Sequence, residues 1–106
     1  MSLEELREQL LRYGESSNSS VKRYSTKGYI GLRFNEERKH PIGFKLQTTK
    51  NRIEVRILHT TCKNYLREYK TTDPIIEHDN VYYIASEKDI PLGEALIKAF
   101  IENKTS

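Results

Sequence analysis

The sequence predicts a single α+β domain of two layers, in which an antiparallel sheet of about four to five strands is covered on one face by N- and C-terminal helices. The length of 106 residues suits one domain. Three segments alternate apolar and polar residues, and both ends of the chain show apolar residues at helical spacing. The apolar share of 36% is low and the charged share of 31% is high, which favours a thin fold with one modest core.

Residues 1–14 are predicted to form the first helix. Ser2 is suited to cap this helix, because acidic residues follow it in the first turn. Gly14 is expected to end the helix, and residues 15–20 form a polar linker without periodicity. The sheet and the closing helix are assigned to residues 21–102. The apolar positions of the first helix are Leu3, Leu6, Leu10 and Tyr13.

A short strand at residues 21–25 is followed by three strands whose two faces differ. The apolar face is expected to lie in the core and the polar face to meet water, as is usual in antiparallel sheets. Residues 48–51 are short enough for a hairpin connection, whereas residues 35–41 form a longer, charged loop. The apolar face consists of Ile30, Leu32, Phe34, Ile42, Phe44, Leu46, Ile53, Val55 and Ile57. The polar face consists of Tyr29, Gly31, Arg33, Gly43, Lys45, Gln47, Arg52, Glu54 and Arg56.

The C-terminal part of the chain is predicted to contain one more strand and the closing helix. Residues 62–69 show helical spacing of apolar residues, but a strand is an alternative because Tyr and Thr favour strands. Residues 81–85 are predicted to form a strand, whose two adjacent tyrosines must face opposite sides of the sheet. The last helix is expected to begin at Ser86 or Asp89. Its apolar side consists of Leu92, Leu96, Ala99 and Phe100.

The charge of the chain is unevenly distributed. Residues 21–70 contain thirteen Lys and Arg but only four acids, whereas the rest of the chain contains five basic and eleven acidic residues. The net charge of +3 therefore conceals a basic middle between acidic ends. A basic region of this kind attracts phosphate groups or another polyanion.

No motif for catalysis, metal binding or cofactor binding is recognisable. The five glycines are scattered, the three histidines are far apart, and the single cysteine, Cys62, is expected to be a small buried apolar residue. No apolar run approaches the ~20 residues of a membrane helix, and the N-terminus does not have the pattern of a signal peptide. We therefore expect a cytoplasmic protein that is not an enzyme and uses no cofactor.

The polar face of the sheet is the candidate binding site. Its Arg and Lys side chains can meet phosphates, while a tyrosine can stack on a base or a sugar. The two loops between the strands add further positive charge. A face that only keeps the protein soluble would have the same pattern. The candidate residues are Tyr29, Arg33, Arg38, Lys39, Lys45, Gln47, Lys50, Arg52 and Arg56.

Three runs of residues carry a resemblance. They are Lys-Gly-Tyr-Ile-Gly-Leu-Arg-Phe at 27–34, Val-Tyr-Tyr-Ile-Ala-Ser-Glu-Lys-Asp at 81–89 and Leu-Ile-Lys-Ala-Phe at 96–100. Together they resemble a small prokaryotic domain family, loosely described as predicted transport proteins, that often accompanies restriction or DNA-repair modules. The resemblance covers roughly residues 20–102, and the chain departs from the family in the insertion at 36–40. The order of elements is also similar to the double-wing domains of some phage transcription activators, which implies nucleic acid as a partner and supplies no catalytic residue.

The sequence thus leads to two functional hypotheses. The first is a non-catalytic nucleic-acid-binding domain, accessory to DNA restriction, repair or phage regulation, that uses the basic sheet face and the hairpin loops. The alternative is a protein-binding module or inhibitor that docks the same face on an acidic surface of a partner. Both DNA and RNA remain open as the nucleic acid, and no membrane is involved.

Overall fold

The computed structural model describes residues 1–37, 41–57 and 81–105. The elements in chain order are helix α1 (Leu3–Ser17), strands β1 (Val21–Thr26), β2 (Tyr29–Phe34), β3 (Ile42–Gln47), β4 (Arg52–Arg56) and β5 (Val81–Ile84), a 3₁₀ turn (Glu87–Asp89) and helix α2 (Ile90–Thr105). Within the described residues, five antiparallel strands form one sheet in the order β1-β2-β3-β4-β5, and α1 and α2 pack on it. The predicted fold class is therefore confirmed. The element predicted at residues 62–69 lies outside the described residues.

Helix α1 begins with the predicted cap at Ser2. The backbone N–H of Glu5 donates to the Ser2 hydroxyl over 3.1 Å, and the Ser2 backbone N–H donates to the Glu5 carboxylate over 3.2 Å. This reciprocal capping box satisfies two N–H groups at the start of the helix. Leu6, Leu10 and Leu11 are buried along one side of α1, which presses that side onto the sheet and α2.

The expected end of α1 at Gly14 is wrong, because the helix continues to Ser17 and includes the first three residues of the expected linker at 15–20. Gly14 is buried. A Cβ at this position would overlap the side chain of Leu32 on β2 and approach Cγ2 of Ile97 on α2 to 3.2 Å. The glycine therefore marks a close approach of α1 to its neighbours and not the end of the helix.

Short turns connect the neighbouring strands at two positions. Between β1 and β2, Gly28 has a φ of 89°, a left-handed conformation that glycine adopts without strain. The predicted hairpin connection at 48–51 is confirmed by the antiparallel pairing of β3 and β4. In this turn the Lys50 backbone N–H donates to the Gln47 carbonyl over 3.1 Å, and Asn51 adopts a φ of 53°.

The predicted apolar face of the sheet lies in the core, against both helices. Leu32, Phe44 and Val55 are completely buried, while Ile30 and Leu46 are partly buried at its margin. Because successive side chains in a strand alternate between faces, the opposite side chains of these strands must point away from the helices. The helices contribute Leu6, Leu10, Leu11, Leu92, Leu96, Ile97 and Phe100 to this core.

Strand β5 and the start of α2 follow the sequence prediction. Tyr82 is buried in the core and Tyr83 is half-buried on the opposite face, so the adjacent tyrosines do separate. Directly ahead of α2, the Ser86 hydroxyl accepts a hydrogen bond of 3.3 Å from a backbone N–H of the 3₁₀ turn. The Asp89 carboxylate accepts one of 2.8 Å from the backbone N–H of Ala85. The expected capping at Ser86 and Asp89 is thereby confirmed.

One cation of the basic middle does not reach the polar face of the sheet. Arg23 pairs with Leu32 in the register and therefore lies on the helix-covered side of β1. Its guanidinium is 2.8 Å from the Glu8 carboxylate and 2.6 Å from that of Glu15. Because both acids belong to α1, these ion pairs connect the edge strand to the helix.

Candidate functional site

The face of the sheet that points away from the helices carries most of the residues predicted to bind a partner. We call it the open face. Its members follow from the strand register, because paired residues of antiparallel strands place their side chains on the same face. The open face consists of Lys22, Tyr24, Thr26, Tyr29, Gly31, Arg33, Gly43, Lys45, Gln47, Arg52, Glu54, Arg56, Val81 and Tyr83.

The strand register places five cationic side chains on the open face. Among its described residues, one is a carboxylate, Glu54, and this residue is only 7% exposed. Its Oε2 atom lies 3.4 Å from Nε of Arg56, so part of its charge is balanced within the sheet. The surface that a partner would meet is therefore dominated by cations. The cations of the open face are Lys22, Arg33, Lys45, Arg52 and Arg56.

A row of paired positions crosses the open face from β1 to β4. Tyr24 pairs with Gly31, Gly31 with Gly43, and Gly43 with Arg56. The two central positions carry no side chain, so the row forms a trough with a tyrosine at one end and an arginine at the other. Glycine inside a strand often marks such a site of close approach.

Two tyrosine rings occupy the space above the glycines. A Cβ at Gly31 would be 2.7 Å from Cε1 and 2.9 Å from the hydroxyl of Tyr24, so this ring lies directly over the β2 backbone. A Cβ at Gly43 would be 3.1 Å from Cδ1 of Tyr29 and 3.4 Å from the Tyr24 hydroxyl. The rings thus approach each other above the trough, where they cover backbone that glycine leaves bare.

Tyr29 is held in place by Glu54. The Tyr29 hydroxyl donates a hydrogen bond of 2.6 Å to Oε2 of Glu54. Burial, as the larger cause, and this hydrogen bond, as the second, raise the pKa of Tyr29 to about 12. Burial acts to raise the pKa of Glu54, but the hydrogen bond from Tyr29 and the charge of Arg56 outweigh it and lower that pKa below its ordinary value. At neutral pH the hydroxyl is therefore protonated and the carboxylate ionised, which maintains the bond.

A contact between a guanidinium group and an aromatic ring lies near β5. The guanidinium carbon of Arg52 is 3.6 Å from the ring centroid of Tyr83, and Nε donates to Oε1 of Gln47 over 2.7 Å. These two contacts restrict the guanidinium before any partner binds, so less conformational entropy is lost on pairing with an anion. By contrast, Lys45 is exposed, and its Nζ atom is 5.7 Å from the ring centroid of Tyr29.

A pocket of about 550 Å³ opens on the part of the open face formed by β1 to β4. This volume is in the range of small-molecule binding sites. Two tyrosines and two arginines line it together with Gly43, and we therefore call it the tyrosine–arginine pocket. The tyrosines and arginines are Tyr24, Tyr29, Arg33 and Arg56. The other lining residues are Thr26, Glu37 and Pro41.

Arg33 has an unsatisfied donor in this pocket. Its Nε is buried and has no hydrogen-bond partner among the described residues. Its guanidinium carbon lies 5.9 Å from the ring centroid of Tyr24. A buried N–H without an acceptor costs free energy, and an anion is the strongest acceptor that a guanidinium can find. An anionic ligand in the pocket would therefore be a favourable partner for this donor once the Arg33 side chain turned Nε towards it.

The structure brings six of the nine predicted binding residues together on the open face. Three of them line the tyrosine–arginine pocket: Tyr29, Arg33 and Arg56. Three lie on the open face outside the pocket: Lys45, Gln47 and Arg52. Lys50 is exposed in the turn between β3 and β4. Arg38 and Lys39 lie outside the described residues.

Sequence reasoning missed Tyr24 and the two glycines as parts of the site. Tyr24 belongs to a strand that was predicted without an assignment of its faces. Gly31 and Gly43 were placed on the polar face but were given no role. The available signal was glycine in the interior of two adjacent strands, which indicates close approach of another group. That signal does not say which group approaches, because the register of β1 is needed to place Tyr24 over Gly31.

Residues 1–37, 41–57 and 81–105 contain neither a recognisable metal site nor a membrane-spanning helix. No group of three or more His, Cys, Asp or Glu in these ranges is arranged to hold a metal ion. None of their helices has both the length and the apolar character needed to span a membrane.

Comparisons with protein-family models, curated proteins and solved structures gave no significant match to this chain. The function is therefore inferred from the geometry and charge of the open face.

Proposed function

We propose that the protein is a non-catalytic binding domain for single-stranded nucleic acid and that the open face is its binding surface. The observation that carries this proposal is the combination of five cations with three tyrosine rings on one face of an antiparallel sheet. Within the described residues of that face, the one carboxylate is almost buried. The tyrosines are Tyr24, Tyr29 and Tyr83.

The cations supply attraction for the phosphate backbone. Arg33, Lys45 and Arg56 lie on three adjacent strands, and like charges at such spacing repel each other unless anions neutralise them. A polyanion relieves this repulsion and releases its own counterions on binding. Arg52 is already oriented by Tyr83 and Gln47, which suits it to pair with a phosphate.

The tyrosine rings favour a single strand over a duplex. Rings on a sheet can stack on bases that are unpaired, whereas the bases of a duplex are already stacked on each other. Stacking also tolerates any base, so we expect binding with weak sequence preference. A partner of this kind agrees with the resemblance to domains that accompany restriction and DNA-repair modules.

Fluorescence anisotropy with a labelled single strand of about 16 nucleotides tests the proposal. We expect a Kd in the micromolar range at ~50 mM salt, which rises steeply towards ~200 mM. The triple variant Arg33→Gln, Lys45→Gln, Arg56→Gln removes three positive charges from the open face. Because each phosphate contact on a single strand contributes about 0.7 to the salt slope, the slope should become shallower by about 2.

A charge-matched variant controls for net charge. Arg12→Gln, Lys88→Gln, Lys98→Gln removes the same charge from exposed positions on α1, the 3₁₀ turn and α2. It should retain most of the native salt slope, because these residues are not on the open face. Circular dichroism must show that both variants are folded. If the two triple variants weaken strand binding equally, net charge alone explains the effect, and a specific role for the open face is refuted. If the native protein binds no strand at low salt, single-stranded nucleic acid is excluded as the partner, and the proposed function is wrong.

A further inference from the structure

The composition of the tyrosine–arginine pocket is more specific than is needed for a basic surface to attract phosphates. A basic surface can bind a strand without a concave site, yet this pocket combines aromatic walls with two guanidinium groups in about 550 Å³. Its apolar lining comes from the rings of Tyr24 and Tyr29 and from Pro41. A ligand that fits it must therefore offer a flat ring and an anionic group within a short distance of each other.

We propose that the pocket receives one unstacked nucleotide of the bound strand, with its base against Tyr24 and Tyr29 and its phosphate between Arg33 and Arg56. This inference rests on the proposed function and adds to it a defined position for a single nucleotide. The phosphate supplies the acceptor that the buried Nε of Arg33 lacks among the described residues. Reorientation of this side chain would let Nε and one Nη donate side by side to two phosphate oxygens.

The walls of the pocket are held in place before a ligand arrives. The hydrogen bond of 2.6 Å to Glu54 fixes the Tyr29 ring, and the absence of a side chain at Gly31 leaves room for the Tyr24 ring close to the β2 backbone. Arg56 is oriented by its ion pair of 3.4 Å with Glu54. Because these three side chains are already oriented, they lose less conformational entropy on binding than mobile ones would, and only Arg33 has to reorient.

The charge of the pocket suits a phosphate but limits the affinity. Arg33 and Arg56 face one carboxylate in the lining, that of Glu37, which belongs to an exposed residue. Beneath them, Glu54 balances part of the charge of Arg56. The lining by itself has a formal charge of +1, and the carboxylate of Glu54 beneath it offsets this charge, so most of the preference for a nucleotide over inorganic phosphate must come from stacking of the base.

NMR titrations that follow the tyrosine ring resonances test this proposal with three probes: adenosine monophosphate, adenosine and inorganic phosphate. The monophosphate should bind more tightly than either of its parts and should shift the resonances of Tyr24 and Tyr29. Tyr24→Leu removes one stacking ring and should weaken binding of the monophosphate at least about fivefold. Tyr24→Phe keeps the ring and should bind within about twofold of the native protein. Tyr13→Leu is the matched control, because Tyr13 belongs to α1 and packs against the core, away from the open face, so its loss should leave monophosphate binding unchanged.

Strand binding, measured on the same proteins, separates this inference from the proposed function. The native protein could bind the strand normally but bind the monophosphate no more tightly than inorganic phosphate. That result would overturn the nucleotide pocket and leave the proposed function intact. Equal effects of Tyr24→Leu and Tyr13→Leu on the monophosphate would also overturn it. Binding of the monophosphate without any binding of a strand would support the pocket as a nucleotide site and overturn the proposed function.

Discussion

Adding a methyl group at Gly31 or at Gly43 tests how the tyrosine rings pack on the open face. The two positions are paired neighbours in the sheet, but their surroundings differ. A Cβ at Gly31 would overlap the backbone carbonyl oxygen of Ile42 and would be 2.7 Å from a ring carbon of Tyr24. A Cβ at Gly43 would meet only side-chain atoms, and the nearest is a ring carbon of Tyr29 at 3.1 Å. The first substitution therefore requires the backbone to move, whereas the second requires only a small shift of a ring.

The expected costs follow from this difference. Gly31→Ala should lower the free energy of unfolding by about 3 kcal/mol, at the upper end of the usual cost of overpacking, because a strand and a ring must both move. Gly43→Ala should cost less, since a shift of a few tenths of an ångström relieves the contact. It also gains about 0.4–1 kcal/mol from the reduced entropy of the unfolded chain, so its net effect should lie within about 1 kcal/mol of zero.

Urea denaturation of the native protein and the two variants measures these differences directly. Unchanged m values would show that the midpoints can be compared as stabilities. We expect Gly31→Ala to be the less stable variant by about 2 kcal/mol or more. If both variants are equally stable, or if Gly43→Ala is the less stable, the Ile42 carbonyl and the Tyr24 ring do not approach Gly31 as closely as described.

Three further predictions concern the core, the start of α2 and the Tyr29 hydroxyl. Phe44→Ala should lower the free energy of unfolding by about 3–5 kcal/mol, because this completely buried ring would leave a cavity; a loss below ~1 kcal/mol in urea denaturation would contradict its place in the core. Ser86→Ala and Asp89→Ala should each cost about 1 kcal/mol through lost capping, and unchanged melting temperatures in both would contradict that role. Because folding raises the pKa of Tyr29 from 10.0 to about 12, its contribution to stability is fully present below pH 10 and is lost as pH rises from 10 to about 12. Stability measured across that range should therefore fall less steeply in Tyr29→Phe, and identical slopes would refute the raised pKa of Tyr29.

Most of the fold could be predicted because short-range patterns reflect burial. Alternation placed Leu32, Phe44 and Val55 on the buried face, and the structure confirms all three. The caps at Ser2 and Ser86 were also predictable, since a cap acts on backbone groups only a few residues away. The prediction failed where a local signal had a distant cause. At position 14, glycine resembled a helix end, but it is required by the packing of α1 against β2 and α2.

The candidate site could be predicted only in part. The period of two was sufficient to place Arg33, Lys45 and Arg56 on one face, because side-chain alternation depends on neighbours in the chain. The pocket depends on positions from β1 to β4 that lie side by side in the sheet but far apart in sequence. Tyr24 comes to lie over Gly31 only through the register of β1, and Tyr29 meets Glu54 across two strand pairings.

The sequence by itself determined the α+β class, the two faces of the sheet and the basic character of one of them. These properties depend on composition, on periodicity and on contacts between residues that are close in the chain. Only the tertiary structure decided which cations remain on the open face and how its rings are arranged. It brings Arg23 to the acids of α1, and beside Tyr24 it buries an Arg33 donor that has no partner among the described residues. Such partners are chosen by strand register and helix packing, because these bring together residues whose separation in sequence carries no local signal.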